Sequence, residues 1–247
     1  MIYEVLWACK RATILSIRNL RSYPTTLLAW CRFLRRYCRY KRLAPKELSA
    51  KFLWPCIGDD TPSTRIEPIY FLQSAWAFEK IIAGCHSRHV DVGSHNMFVA
   101  LLSKVVPVTM VDIRPLQLSL ESLSFQKGSI LDLPFEDASL ESVSSICVIE
   151  HIGLGRYGDS LNPSGSGEAI QELKRVIRPG GHLYISVPIY DITITLFDAH
   201  RAFKESELLE MLQPLEVVER RYIYGEEFVS DIRSGFGTGC YHLVRCC

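Results

Sequence analysis

Val90-Asp-Val-Gly-Ser94, Ser144-Ser-Ile-Cys-Val-Ile-Glu-His-Ile-Gly-Leu-Gly-Arg-Tyr-Gly-Asp159 and Arg178-Pro-Gly-Gly181 decide how this chain folds. Each is a short apolar run, or the end of a helical pattern, that stops at a polar or glycine-bearing turn. Such runs alternating with helical periodicity are the sequence form of a parallel sheet covered by helices. Ligands of these sheets collect at the carboxyl ends of the strands. Asp91, Gly93, Glu150 and His151 are therefore expected to converge on one crevice.

Working outward, strands are expected at His89–Val92, Val108–Ile113, Ser124–Ile130, Ser142–Glu150, His182–Pro188, Leu215–Tyr224 and Tyr241–Arg245. Helices are expected over Glu67–Gly84, Met97–Lys104, Glu168–Ile177 and Glu205–Leu212. The buried stripe of the third would be Ile170, Leu173, Val176 and Ile177, with Pro179-Gly-Gly181 as its carboxyl cap. The sum is an α/β fold: a doubly wound, mostly parallel, seven-stranded sheet over residues 66–247, preceded by a basic helical extension and linker over residues 1–65.

Charge divides the chain in the same place. Through Lys51 there are 12 Lys and Arg against Glu4 and Glu47, a formal +10, so with +1 overall the remainder is −9. Apolar and basic residues there recur at helical spacing, which suits a helix on an anionic membrane, on a protein partner or on the main domain itself. The longest uncharged run, Ser22 to Cys31, is half a membrane span, and no secretory leader is recognised. Nucleic acid is disfavoured, because the aromatics of the arm fit a helix face as well as a base-stacking platform. Nine cysteines with no CxxC pair point to a reducing, cytoplasmic setting, peripheral to a membrane if the arm docks there, and no metal site is expected. Cys246-Cys247 does not have the CaaX form.

The chemistry follows from the turns. Gly93 lets backbone approach a ligand without a Cβ in the way. Asp112, ending the second strand, is placed to accept both hydroxyls of a ribose. The dinucleotide fingerprint G-x-G-x-x-G is absent after Gly93, which favours a nucleoside without a pyrophosphate.

With these pieces the chain resembles the class I S-adenosylmethionine-dependent methyltransferases. The carrying motifs are Val90-Asp-Val-Gly93, Asp112, Leu133 through Val143, Val148-Ile-Glu-His-Ile152 and Leu173 through Gly181. Within that superfamily it is most similar to the family called domain of unknown function 268, through Val148–Asp159, Val111-Asp-Ile-Arg-Pro115 and Asp198-Ala-His-Arg201. The resemblance implies a Rossmann-like methyltransferase fold and S-adenosylmethionine as cofactor. Asp91, Gly93 and Ser94 would border its methionine part, Asp112 and Ile113 its ribose, and Ser129 and Ile130 its adenine. Glu150, His151 and His200 are the candidate catalytic residues: Glu150 or His151 as the base that takes the acceptor's proton, and His200 with Arg201 bordering a small-molecule or carbohydrate-like acceptor. Arg156-Tyr-Gly-Asp159 and Asn162-Pro-Ser-Gly165 form a polar loop over the same edge, either a lid or a plain connection. Two departures stand out: His95 and Asn96 occupy the place of a second glycine, and Ser129 that of an acidic residue. They keep a second class of function in view, a degenerate methyltransferase-fold scaffold that docks a partner or membrane through its basic arm.

Overall fold

The computed structural model describes residues 23–45, 48, 52–114 and 116–246. The part of the basic arm before Tyr23, with Cys9, Pro115 and Cys247, lies outside the described residues. Two compact units are present, Met1–Ile66 and Glu67–Cys247. The first contains helix α1 (Tyr23–Leu43).

In the second unit the chain runs α2 (Pro68–Ala83), β1 (His89–Val92), α3 (Asn96–Leu102), β2 (Val108–Asp112), β3 (Leu123–Lys127) and β4 (Leu140–Ile146). It continues through a 3-10 turn (Ile149–His151), α4 (Gly165–Val176), β5 (Ile177–Ile189), β6 (Ile194–Leu196), β7 (His200–Ala202) and α5 (Glu205–Leu212). The strands β8 (Leu215–Tyr224), β9 (Glu227–Val229) and β10 (Gly237–Arg245) close it. One eight-stranded sheet has the order β3-β2-β1-β4-β5-β10-β8-β9, and β6 and β7 form a separate ribbon. The pairs β1–β2, β1–β4, β2–β3 and β4–β5 are parallel; β10 is antiparallel to both β5 and β8. Strand order reverses between β1 and β4, the place where sheets of this kind bind ligands at the carboxyl ends of their strands.

Strand alternation sends successive side chains to opposite layers. Val90, Val92, Val143, Leu183 and Ile185 meet Ile170, Leu173 and Val176 of α4 and Leu208 and Leu212 of α5. On the other face Val108, Met110, Ile146 and Tyr184 meet Trp76, Ala77 and Ile81 of α2 and Phe98, Val99 and Leu102 of α3.

The doubly wound, mostly parallel sheet agrees with the sequence expectation, and three local differences have physical causes. β4 stops at Ile146 rather than continuing to Glu150, because Cys147 takes a left-handed φ of 59° and the chain turns into a 3-10 step. Pro179-Gly-Gly181 is no helix cap: α4 ends at Val176, Ile177 is already extended, and the Pro-Gly-Gly stretch lies in the lead of β5, where register shifts against β4. The eighth strand is β9, a three-residue edge pairing with β8 and too short to register as a pattern.

Leu173 is fully buried at the centre of the α4 layer. Leu173→Ala should lower unfolding free energy by about 2–5 kcal/mol. Urea unfolding measures it, and a loss below about 1 kcal/mol would contradict this packing.

Candidate active site

β1 carries the polar centre of the crevice. Because Val90 and Val92 face one layer, His89 and Asp91 face the other, and both are buried. Asp91 Oδ1 accepts the Ser94 N–H at 3.0 Å, and Oδ2 accepts the Ser144 hydroxyl of β4 at 2.5 Å. The carboxylate thus closes its own turn and also spans the reversal between β1 and β4. Ser94 Oγ accepts the Ile146 N–H at 2.9 Å, and Ser145 Oγ donates to the Val92 carbonyl at 3.1 Å. Gly93 donates its N–H to the Val111 carbonyl at 2.9 Å and holds φ at 73°. A Cβ there would stand 3.0 Å from Val148 Cγ1, so conformation and space both select glycine.

His89 extends the network. Its Nε2 is 2.8 Å from Ser144 Oγ and its Nδ1 2.7 Å from Ser142 Oγ. Burial holds His89 at about 3, hence neutral. With Ser144 donating to Asp91, a consistent proton order has Nε2–H donating to Ser144 and Nδ1 accepting from Ser142. Burial pushes Asp91 up to about 6, opposed by the hydrogen bonds from Ser144 and Ser94. His95 and Asn96 are exposed at the start of α3, where His95 Nδ1 caps the Met97 N–H at 3.3 Å. Neither is packed into the Gly93 turn.

The register pairs Val92 with Val111, so Asp112 stands level with Gly93 at the neighbouring strand tip. Its Oδ1 accepts the Arg114 N–H at 2.7 Å, and its carbonyl accepts the Gly128 N–H at 3.1 Å. Ile113 beside it is half-buried. Ser129 turns the chain after β3, its Oγ accepting the Leu131 N–H at 3.1 Å, while Ile130 packs into the core.

Beyond β4, Cys147 donates its N–H to the Ser186 carbonyl at 3.0 Å, and the 3-10 turn then buries Glu150 completely. Among the described residues the buried side-chain atoms without a hydrogen-bond partner are Glu150 Oε1, Glu150 Oε2 and Gln73 Nε2. Burial pushes the Glu150 carboxyl up to about 7, opposed by weaker interactions with the Cys147 thiol and its own backbone N–H. His151 Nε2 lies 3.7 Å from Glu150 Oε1, beyond hydrogen-bond range, while its Nδ1 meets the Ala199 carbonyl at 2.7 Å. A carbonyl only accepts, so Nδ1 carries the proton, and Nε2 offers a lone pair in the neutral ring that burial favours. The His200 ring is 6.4 Å from that of His151. Asp91, Gly93, Ser94 and Asp112 therefore gather at the β1 and β2 tips, and Glu150, His151 and His200 gather beyond β4.

Gln73 and Tyr70, which act on Cys147 and Glu150, have no role in the sequence reading, and Tyr157 enters it only as part of the polar loop. Gln73 is fully buried on α2, its Oε1 accepting the Ser186 hydroxyl at 2.9 Å; a polar residue on the apolar stripe of that helix was the available signal. Tyr70, one turn earlier, is pushed up to about 12, first by partial burial and then by Cys147, Glu150 and Tyr157. The Tyr157 ring lies under the Arg114 guanidinium at 4.5 Å. No sequence signal marks those two contacts, which join segments distant along the chain.

Arg201, expected beside the acceptor, spends its guanidinium on the chain itself. It is buried, with Nη1 donating to the Ile152 carbonyl at 2.5 Å and to Ser166 Oγ at 2.9 Å. Its Nη2 reaches the carbonyls of Asn162 and Pro163 at 3.3 and 3.2 Å. Asp159 Oδ2 accepts the Gly153 N–H at 2.7 Å from the other side. The polar loop is thus a stapled element, and Arg201 holds it.

A buried carboxyl with so little hydrogen bonding costs stability wherever it is ionised. Glu150→Met should be about 1–4 kcal/mol more stable than wild type at pH 8. A carboxyl raised from 4.5 to about 7 makes wild type gain stability as pH falls through 7, levelling near 4.5. The gap to the variant should therefore shrink by about 3 kcal/mol across that window. Urea unfolding at pH 8 and 4.5 measures both quantities; a variant less stable than wild type at pH 8 would show that the carboxyl is satisfied.

Residues 134–234 match the profile of a family described as Caenorhabditis protein of unknown function, DUF268. No curated protein matches the sequence. Among solved structures, the [4+2]-cyclase SpnF is similar with a TM-score of 0.55 at 12% identity, covering 79% of this chain and 84% of its own. The 1,6-didemethyltoxoflavin-N1-methyltransferase of Burkholderia thailandensis, solved with 1,6-didemethyltoxoflavin and S-adenosylhomocysteine, is similar with a TM-score of 0.54 at 16% identity, covering 88% and 89%. The N-methyltransferase NodS of Bradyrhizobium japonicum WM9 gives a TM-score of 0.51 at 16% identity, covering 76% and 99%. The chain has the fold of the class I S-adenosylmethionine-dependent methyltransferases, and its segment 134–234 is similar to the DUF268 family.

Proposed function

We propose that the protein binds S-adenosylmethionine at the β1 and β2 tips and transfers its methyl group to a small-molecule acceptor, carbohydrate-like in polarity, beyond β4. The observation that carries this reading is the Asp91 carboxylate buried across the β1–β4 reversal, which fixes a glycine turn level with Asp112. A rigid turn without a Cβ accepts the methionine part of the cofactor close to backbone, with Ser94 beside it. Asp112 is the hydrogen-bond acceptor for the ribose hydroxyls next to Ile113, and Ser129 and Ile130 flank the adenine. Neither the donor nor the product form of this cofactor needs a pyrophosphate cradle, and the G-x-G-x-x-G turn that supplies one is absent after Gly93. A neighbour in fold carries bound S-adenosylhomocysteine.

The cofactor supplies an activated methyl on a sulfonium. The residues of this chain have to hold the acceptor in line and remove its proton. His151 Nε2 is a neutral lone pair beside Glu150, and a carboxyl held near 7 by burial is suited to take a proton at neutral pH. His200 lines the same side through its edge contact with His151. The Gln73 amide, which acts on the Cys147 thiol, is a further donor on this side. That the same fold also serves a [4+2]-cyclase keeps function tied to the site rather than to the sheet.

Isothermal calorimetry with S-adenosylmethionine tests the cofactor half. Wild type should bind, Asp112→Ala should bind about tenfold to a hundredfold more weakly through loss of charge-assisted ribose bonds, and Glu150→Gln should bind like wild type. Absence of binding heat, with Asp112→Ala indistinguishable from wild type, would instead support a non-catalytic scaffold.

A further inference from the structure

Helix α1 has three lengthwise stripes, and only one is used within its own unit. Trp30, Phe33 and Tyr37 are half-buried, and the last two line a groove of about 340 Å³ with Phe52, Leu53 and Trp54. A second stripe, Leu27, Cys31, Leu34 and Cys38 at steps of four, three and four residues, is exposed along its whole length. Leu27 and Leu34 are 67% and 50% exposed, although each is a side chain whose burial would be favourable. The third stripe is Arg32, Arg35, Arg39 and Arg42, exposed and directly beside the second. The helix contains six basic residues and no acidic one. Asp60 lies 4.0 Å from Arg32 and 3.6 Å from Arg36, leaving Arg35, Arg39 and Arg42 without an acidic neighbour within 4 Å among the described residues.

We propose that α1 docks on the surface of an anionic phospholipid bilayer, with the leucine–cysteine stripe entering the headgroup–acyl boundary and the arginine stripe meeting lipid phosphates and carboxylates. The two stripes share one side of the helix, and a bilayer surface satisfies both at once. A nucleic-acid backbone would neutralise the arginines but leave the leucines in water, and leucine has no ring to stack on a base. No described helix is long and apolar enough to cross a membrane, so the contact is one of surface attachment. The inference concerns α1 alone and is independent of cofactor binding.

Co-sedimentation of the full chain with vesicles tests it. The protein should pellet with phosphatidylcholine–phosphatidylserine vesicles and stay in solution with phosphatidylcholine alone, and added salt should release it. Arg35→Gln with Arg39→Gln should weaken binding about thirtyfold, from about 1 kcal/mol per basic residue at the surface. Leu27→Ala with Leu34→Ala keeps charge and helix propensity, and should weaken binding by at least about tenfold. Unchanged far-ultraviolet circular dichroism confirms that each variant keeps its helix. Equal behaviour with both vesicle types, or no pelleting with either, overturns the proposal. So does wild-type binding by the leucine pair, which would mark a plain polyanion site such as one for nucleic acid.

Discussion

A carboxylate inside a parallel sheet is the constraint on which this structure depends. Asp91 is fully buried, and an ionised group there is tolerated only where hydrogen bonds replace water. Its two oxygens are met by a backbone N–H three residues on and by a hydroxyl on the adjoining strand. The first bond closes the Gly93 turn, and the second locks β1 to β4 where strand order reverses. Ser142, His89 and Ser144 then pass hydrogen bonds inward to the same carboxylate. The Gly93 turn is thereby pinned through both carboxylate oxygens of Asp91.

Glu150 is the opposite case. It is buried as deeply as Asp91, yet neither oxygen has a full hydrogen-bond partner, only weaker help from the Cys147 thiol and its own N–H. The main chain puts it there because Cys147 takes a left-handed conformation and the next residues wind into a 3-10 turn. Unrelieved polar burial at a strand tip is a stability cost of the sort that active sites retain. One carboxyl ties two strands together, and the other is buried with little to offset its charge.

Much of this could be read from the residues alone, and the exceptions share a cause. β1 and β8 have the expected ends, because apolar runs bounded by glycine, proline or charge leave little choice. The Asp91–Gly93 turn and Asp112 were legible because local spacing fixes where a strand stops. The apolar pattern carries β4 four residues too far, because Val148 and Ile149 continue it and only backbone conformation reveals the break. Arg201 looked like a site residue by position, but its guanidinium is consumed by four acceptors at residues 152–166, which no local pattern encodes. Gln73 and Tyr70 come from a helix far away along the chain, so their approach to Glu150 depends on packing.

The central claim is that a nucleoside-bearing sulfonium sits where the β1 and β2 tips meet. A crystal soaked with S-adenosylhomocysteine tests it most directly. The account predicts electron density for the ribose beside Asp112 and for the amino-acid tail along the Gly93–Ser94 turn. Clear density at any other place, or none at saturating concentration, would contradict it and leave only the layered sheet standing.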